Sequence, residues 1–301
     1  MIRPFEERDA AAVATLLRRI QPHYVRTPEG LRHFVANEPE RSHPLWLVAE
    51  EQGEIVGWAE AGVRWHLESD EVGDLWVAVA PEAEGRGIGG ALYERAEAHV
   101  VGLGLREISS ATEEGSRGER FSAERGYAVA RRERISMVEP QTMDYPPLTA
   151  DVLPLAEVRD RAEELYRLFW TIESTFPREY QWTGYSLDEW LAETWSKPTL
   201  DDEMSVVALL DGQAVAASWL LVDWERRAAE VEVTGTLPEF RRRGLARACK
   251  VESLRRTAER GVARVYTDND LENVGILALN ESLGFRPVAI GLELTKRIGP
   301  R

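Results

Sequence analysis

The sequence predicts an α/β chain, an α+β arrangement with mixed sheets, written as two tandem copies of one unit. Two observations carry this: landmarks recur in one order at nearly constant spacing, and each copy alternates strand and helix patterns in the same succession. A strand, tight turn and strand at Val48–Trp58, turning at Gly53, returns at Val207–Trp219 with its turn at Asp211-Gly212. An apolar strand that ends in proline and runs into a Gly/Arg turn spans Leu75–Leu92, and its echo spans Val231–Ala248. A helix stop followed by an aromatic occurs at Gly126-Tyr127 and again at Gly284-Phe285. These landmarks lie 157–159 residues apart.

Taken in order, the first unit opens on a short strand and then a helix. Val13, Leu16, Leu17 and Ile20 fall at i, i+3, i+4 and i+7, and Asp9 stands where an N-cap is wanted. The second unit opens on a similar helix, with Ala162, Leu165 and Phe169 on one stripe. Each unit then reads strand–strand–strand, turn, helix, strand, helix, strand, which implies a mixed sheet with helices on both faces. Four prolines crowd the stretch from Pro140 to Pro154, which has little period and marks the joint. The expected organisation is a first domain over 1–140, a Pro-rich linker over 141–154 and a second domain over 155–301.

Composition excludes several classes. The chain has 301 residues, 44% hydrophobic and 30% charged, an ordinary globular balance for about two domains. With 37 Lys+Arg against 52 Asp+Glu the net charge is -15, and neither half is basic, so nucleic acid is not expected as a partner. The one cysteine, Cys249, excludes a disulfide framework and points to a reducing compartment. No apolar run approaches the roughly 18 residues of a membrane span, and the opening MIRPFEERDA lacks a signal-peptide core. A cytoplasmic protein without a membrane partner is expected. The histidines show no metal-ligand spacing, so no metal is expected.

The strand–turn–helix element carries the chemistry. A helix N-terminus presents unpaired N–H donors and the positive end of its dipole, which suits a diphosphate. Gly244 lets the backbone turn and approach an anion, and Arg241, Arg242 and Arg243 can add charge-assisted bonds to phosphate oxygens. The first copy offers Gly85, Gly87, Gly89 and Gly90 at the equivalent place, with Arg86 alone for charge. Gly85, Gly87 and Gly90 also spell GxGxxG. In a dinucleotide fold, however, that loop follows the first strand directly, whereas about four strands precede it here, and RRRGLARA does not preserve it. A nicotinamide-dependent enzyme is therefore the weaker alternative.

These residues resemble a known family. Arg241-Arg242-Arg243-Gly244-Leu245-Ala246 looks like the Q/R-x-x-G-x-G/A acyl-CoA pyrophosphate loop of the GNAT acetyltransferase superfamily. IRPFEERDAAAVATLL resembles its first strand and helix, and Asn273 to Phe285 resembles its closing N-x-x-(M/I)-x-x-x-N-x-x-L-G-F element. The tandem arrangement looks most like the double-GNAT enzymes of the mycothiol synthase type. The resemblance implies two GNAT-like acyl-CoA N-acyltransferase domains and acetyl-CoA as co-substrate. It further implies acetyl transfer to a primary amine of a small molecule or peptide, by direct attack in a ternary complex. The implied cofactor contacts are Thr234, Gly235, Thr236, Arg241 to Gly244, Leu245, Ala246, Arg247 and Asn273, with Val79, Gly85, Arg86, Gly87, Gly89 and Gly90 as first-copy counterparts. Glu84 stands where the first loop expects Gln or Arg, and a carboxylate beside a diphosphate is repulsive. The first domain thus reads as a degenerate scaffold and the second as catalytic. The resemblance leaves a monomer with an internal pseudo-dimer or a homodimer.

Amine attack needs a base near the end of the strand before the loop. All five histidines lie in the first half, so a carboxylate is the strong base available within the second. Glu230 and Glu232, two apart on a strand, point the same way by period. Glu230 matches the resembled enzymes' base, acting through water. Backbone N–H groups around Thr234 to Thr236 can hold the oxyanion. Many GNAT enzymes place a thiolate-protonating Tyr four residues before the closing glycine; here Asn280 stands there, able to hydrogen-bond the sulfur but not to protonate it. Aromatic residues Tyr166, Trp170, Phe176, Tyr180, Trp182, Tyr185, Trp190 and Trp195, with Glu173, Glu179 and Asp188, suit either a cationic acceptor or ordinary packing. Cys249 reads as a small buried residue. The missing Tyr and Glu84 motivate an alternative: a catalytically silent acyl-CoA-binding or regulatory protein.

Overall fold

The computed structural model describes residues 1–148, 150–176 and 182–299. The first half runs β1 (Ile2–Pro4), α1 (Ala10–Ile20), α2 (Pro28–Asn37), β2 (Leu45–Glu51), β3 (Glu54–Val63), β4 (Val72–Val79), α3 (Ile88–Gly102), β5 (Glu107–Glu113), α4 (Arg117–Ala123) and β6 (Ala128–Val138). The second repeats that order: β7 (Asp151–Pro154), α5 (Ala162–Glu173), α6 (Leu187–Trp190), β8 (Val206–Leu210), β9 (Gln213–Asp223), β10 (Ala228–Thr236), α7 (Leu245–Glu259), β11 (Arg264–Asp270), α8 (Val274–Ser282) and β12 (Arg286–Arg297). The mixed α/β reading and the succession of elements agree with the repeat. Within the Pro-rich joint, Pro140–Thr142 forms a 3₁₀ turn and β7 occupies its end.

The two hairpins turn for the same local reason. Gln52 and Gly53 lie at φ 52 and 86, and Asp211 and Gly212 at φ 51 and 79. Paired positive φ values make the mirror-image turns whose twist matches that of flanking strands. The cap of α1 differs from expectation. Asp9 stands at the N-cap position but makes no cap bond. Its carboxylate instead accepts from Arg3 Nη1 and Nη2, at 2.6 and 2.9 Å, and from the Glu6 backbone N–H at 2.9 Å. An ion pair with a guanidinium outcompetes a neutral N–H, and holds the Asp9 carboxyl below its usual range.

All twelve described strands form one sheet, in the order β1-β2-β3-β4-β5-β12-β6-β11-β10-β9-β8-β7. The closing strands are exchanged between the halves. β12 pairs antiparallel with β5, β6 pairs antiparallel with β11, and β6 and β12 pair with each other at the centre. Sequence order and sheet order part company there.

The core follows the helix stripes. Val13, Leu16 and Leu17 of α1 pack with Trp58, and Leu165, Phe169 and Ile172 of α5 pack with Trp190, Trp195 and Trp219. Trp58, Trp190 and Trp219 are fully buried, and Phe169 stacks on Trp219 at 5.4 Å between centroids. Cys249 is buried in α7, its thiol pushed up to about 12 by that burial.

Candidate functional site

Two forks in the sheet define the site. β4 and β5 run parallel and pair over three positions, the last being Asp74 with Ser109. β10 and β11 do the same, the last being Glu230 with Tyr266. Beyond those rungs the parallel strands part and leave a crevice at their carboxyl ends, where open α/β sheets take ligands. The forks differ in one respect. In the second, the pairing of β10 with β9 shifts between Val231 and Val233, so Glu232 occupies a β-bulge, whereas β4 pairs with β3 without a shift. A bulge re-aims backbone groups and side chains beside a site.

The glycine loops are built alike. Gly85 and Gly87 have φ 76 and 83, and the equivalent Arg242 and Gly244 have φ 62 and 78. Gly87 and Gly244 are the N-caps of α3 and α7, and neither helix has a side-chain cap bond. A Cβ added at Gly85, Gly87 or Gly244 would meet nothing within 4 Å. Open space over uncapped N–H donors fits a diphosphate. Gly235, by contrast, lies against α5, where a Cβ would meet Ile172 Cγ2 at 2.2 Å. Its small size serves the packing of β10 against that helix.

The arginines have distinct surroundings. Arg241 donates to Thr175 Oγ1 at 2.8 Å and to the Thr236 carbonyl at 3.3 Å, which ties the loop to the end of α5. Arg242 and Arg243 are exposed, and the Arg243 guanidinium lies 5.4 Å from the Phe240 ring. Arg247 donates to Ser282 Oγ at 2.6 Å, and Asn273 N-caps α8. Leu245 is buried and Ala246 half-buried at the start of α7. In the first loop Arg86 pairs with Glu51 at 2.9 Å, while Arg117 pairs with Glu84 at 3.0 Å and offsets its charge. Val79, Gly85, Gly87, Gly89 and Gly90 line the cleft described next.

A cleft of about 1390 Å³ runs between the halves and joins the two forks. Its second-half wall includes Glu232, Thr234, Lys250, Asp268 and Asn273. The period-two expectation for Glu230 and Glu232 is interrupted by the bulge, and their partners differ. Glu232 Oε1 accepts from Lys197 Nζ at 2.7 Å, so its charge is matched. Glu230 Oε2 accepts from the backbone N–H of Val25 at 2.7 Å, and burial pushes its carboxyl up to about 8. Tyr24, the neighbour of Val25, lines the cleft. Thr234 Oγ1 shares a hydrogen bond with Ser218 Oγ at 3.1 Å. Asn280 is buried with both ends of its amide engaged, Oδ1 by Lys250 Nζ and Nδ2 by Asn269 Oδ1 at 2.7 Å.

The cleft walls carry many carboxylates held above their ordinary range. Burial takes Asp74 to about 6 and Glu133 and Glu193 to about 7, and raises Glu38, Glu60 and Asp268. The aromatic stretch divides. Phe176, Trp182 and Tyr185 line the cleft, where the His66 ring lies 5.0 Å from Trp182 and the Trp65 ring 5.1 Å from Tyr185. Trp190 and Trp195 belong to the core, and Tyr166 donates to the Tyr185 carbonyl. Glu173 is buried on the cleft wall, whereas Tyr180 and Glu179 lie outside the described residues.

Sequence reasoning missed the contributions that cross between halves. His23 of the first half stands 6.0 Å from the Tyr266 ring and bonds Glu113 at 2.6 Å, which places a histidine beside the second fork. Lys250 was also missed, because lysine inside a helix ordinarily reads as surface. Among the described residues no group of three or more His, Cys, Asp or Glu is arranged to hold a metal, and no helix is long and apolar enough to cross a membrane.

Known proteins share this architecture. The model of the acetyltransferase (GNAT) family matches twice, over residues 11–127 and 162–285. A mycothiol acetyltransferase of Clavibacter michiganensis subsp. michiganensis is 28% identical over 221 residues, which is 72% of this chain and 70% of that protein. A mycothiol acetyltransferase of Nocardia farcinica is 28% identical over 257 residues, covering 81% and 80%. Among solved structures, a tandem GNAT protein from the clavulanic acid biosynthesis pathway superposes with a TM-score of 0.74 at 15% identity, covering 100% of this chain and 99% of its own. A GCN5-related N-acetyltransferase from Sphaerobacter thermophilus gives 0.70 at 20% identity, covering 100% and 96%.

Proposed function

The chain belongs to the GNAT acetyltransferase family and is an acetyl-CoA-dependent N-acetyltransferase, and from that premise we propose that its second half acetylates the primary amine of a small cationic molecule. The observation that carries this reading is the bulged fork of β10 and β11: Glu230 stands on its last paired rung, and Glu232, on the bulge, lines the carboxylate-rich cleft into which the fork opens. Bound acetyl-CoA supplies an activated acetyl thioester. Gly244, Arg242 and Arg243 hold its diphosphate at the start of α7, and the backbone of Thr234 to Thr236 faces the acyl end. Val79, Arg86 and the first-loop glycines serve, at most, a second anion.

The acceptor arrives as an ammonium ion, attracted by the surplus of carboxylates. Glu230 takes its proton through water and so frees the lone pair that attacks the acyl carbon. A carboxyl that titrates at about 8 is a stronger base than an ordinary glutamate once ionised. Glu232, matched by Lys197, orients the ammonium without taking its proton. The N–H groups of the bulged strand receive the oxyanion. The names of the mycothiol acetyltransferase relatives make an amine of the mycothiol type the first acceptor to assay, followed by polyamines, aminoglycosides and peptide N-termini. The strand exchange supports a monomer whose halves form the internal pair, and the lone Cys249 supports action in a reducing compartment, the cytoplasm.

The test is release of free CoA thiol from acetyl-CoA by the purified chain across that amine panel, with acetylated product identified by mass. Turnover with a cationic amine that is lost in Glu230→Gln supports the reading. Turnover unchanged in that variant removes Glu230, and CoA binding without turnover of any amine returns the silent acyl-CoA-binding alternative.

A further inference from the structure

Lys250 is an unusual residue for its position. It lies in α7, six residues beyond Gly244, and is 1% exposed. At about 1.5 Å per residue it stands roughly 9 Å along the helix from the loop. Its ammonium donates to Asn280 Oδ1 and sits 4.9 Å from the Phe285 ring. Among the described residues no carboxylate pairs with it; the charge that acts on it through space is Asp268 on β11, whose own carboxyl burial pushes up. The remaining polar neighbour, Asn269, reaches it only through Asn280. The side chain lines the second fork, on the same wall as Thr234 and Asp268. A buried ammonium without a counter-ion is costly, and in its place an apolar side chain would pack in the helix at no such cost. A group held so at the fork is suited to an anion that forms there during the reaction.

We infer that Lys250 is a catalytic residue that stabilises and protonates the sulfur leaving from acetyl-CoA, with Asn280 positioning its ammonium. The inference rests on the second fork being the acetyl-transfer site. The acceptor nitrogen forms the new C–N bond, the acyl C–S bond breaks, and its electron pair stays on sulfur. Lys250 gives that sulfur a proton and becomes a neutral amine, and it recovers a proton from the one the acceptor amine has lost to Glu230 and solvent. Burial lowers the Lys250 amine to about 7, so the proton it carries is readily given up. The amide of Asn280 lacks a transferable proton, which Lys250 supplies.

The experiment titrates bound CoA by the ultraviolet absorbance of its thiolate, with desulfo-CoA as blank and calorimetry to establish saturation. The wild-type kcat should fall at high pH as Lys250 loses its proton, with the bound thiol titrating at or above the value near 8.5 of a free thiol, because the less basic Lys250 is deprotonated first. Lys250→Met should still bind CoA, should lose that limb, and should lower kcat by about 10²-fold or more with little change in KM for acetyl-CoA. Should Lys250→Met fail to fold, Lys250→Arg keeps the charge but not the transferable proton: its bound thiol should titrate at least about one unit below the free value, and turnover should be lost. A kcat and a high-pH limb alike in wild type and Lys250→Met, or a bound thiol at the free value in Lys250→Arg, overturns the inference and leaves the acetyl-transfer site standing. Failure of wild type itself to bind CoA overturns that site and the inference with it.

Discussion

Glu230 of β10 accepts a hydrogen bond at 2.7 Å from the backbone N–H of Val25, so a carboxylate of the second half is held by the segment that joins α1 to α2 in the first. This contact fixes the carboxyl group without an ion pair, so it stays able to gain and lose a proton. Arg18 anchors the same junction by reaching Asp223 at 2.8 Å. The expected consequence is that Glu230→Gln lowers kcat by about 10²–10⁴-fold while acetyl-CoA affinity changes little. The wild-type kcat should rise with pH as Glu230 ionises and turn over as Lys250 gives up its proton, and the Glu230→Gln variant should lose the rising limb. Steady-state kinetics across pH, with calorimetric binding of acetyl-CoA, decides it.

Gly244 lies at φ 78 with open space where a Cβ would stand. A β-branched residue there strains the backbone and intrudes on the diphosphate. Gly244→Val should raise KM for acetyl-CoA about tenfold or more while kcat at saturation changes less. A kcat loss with unchanged KM would place the diphosphate elsewhere.

The parts of the molecule legible in the sequence are those governed by local rules. Asp211-Gly212 announces its turn because few residues tolerate positive φ, and Leu165 and Phe169 announce a buried helix face by their spacing. The arginine-glycine loop is legible because its neighbours in space are its neighbours in sequence. What escaped are the relationships that span the halves. Nothing near Val25 marks it as the partner of Glu230, and nothing near Arg286 says that β12 will lie beside β5. The bulge at Glu232 also escaped, since period two assumes an unbroken ladder.

Carboxylates in and beside the cleft make stability fall as pH rises. Asp74, Glu133, Glu193 and Glu230 titrate at about 6, 7, 7 and 8 in the folded chain, each raised by burial above its ordinary value. Between pH 5 and 8 the folded state therefore holds more protons than the unfolded one, and the slope of unfolding free energy with pH is negative. The stability these groups contribute is present at low pH and is lost as pH passes through the folded values. The melting temperature of the free chain should drop across that window, and a bound cationic amine should restore part of it. Calorimetric scans showing a rising melting temperature from pH 5 to 8 would contradict this.

The exchange of closing strands predicts how the chain comes apart. β6 is flanked by β11 and β12, and β12 by β5 and β6, so each half alone would present a sheet that ends at an unpaired fork edge. Ile135 and Val138 on β6, and Leu292 and Leu294 on β12, are buried by this arrangement and would be exposed by separation. The stretch after Pro140 carries exposed residues around Pro146 and Leu148, so a nick there cuts no strand. A chain cleaved at that point should remain one particle of intact size with an unchanged circular dichroism spectrum. The same two fragments expressed separately should aggregate, and mixing them during refolding should recover CoA binding. Soluble, independently folded fragments would mean that each closing strand can return to its own half, and that the central pairing of β6 with β12 is dispensable.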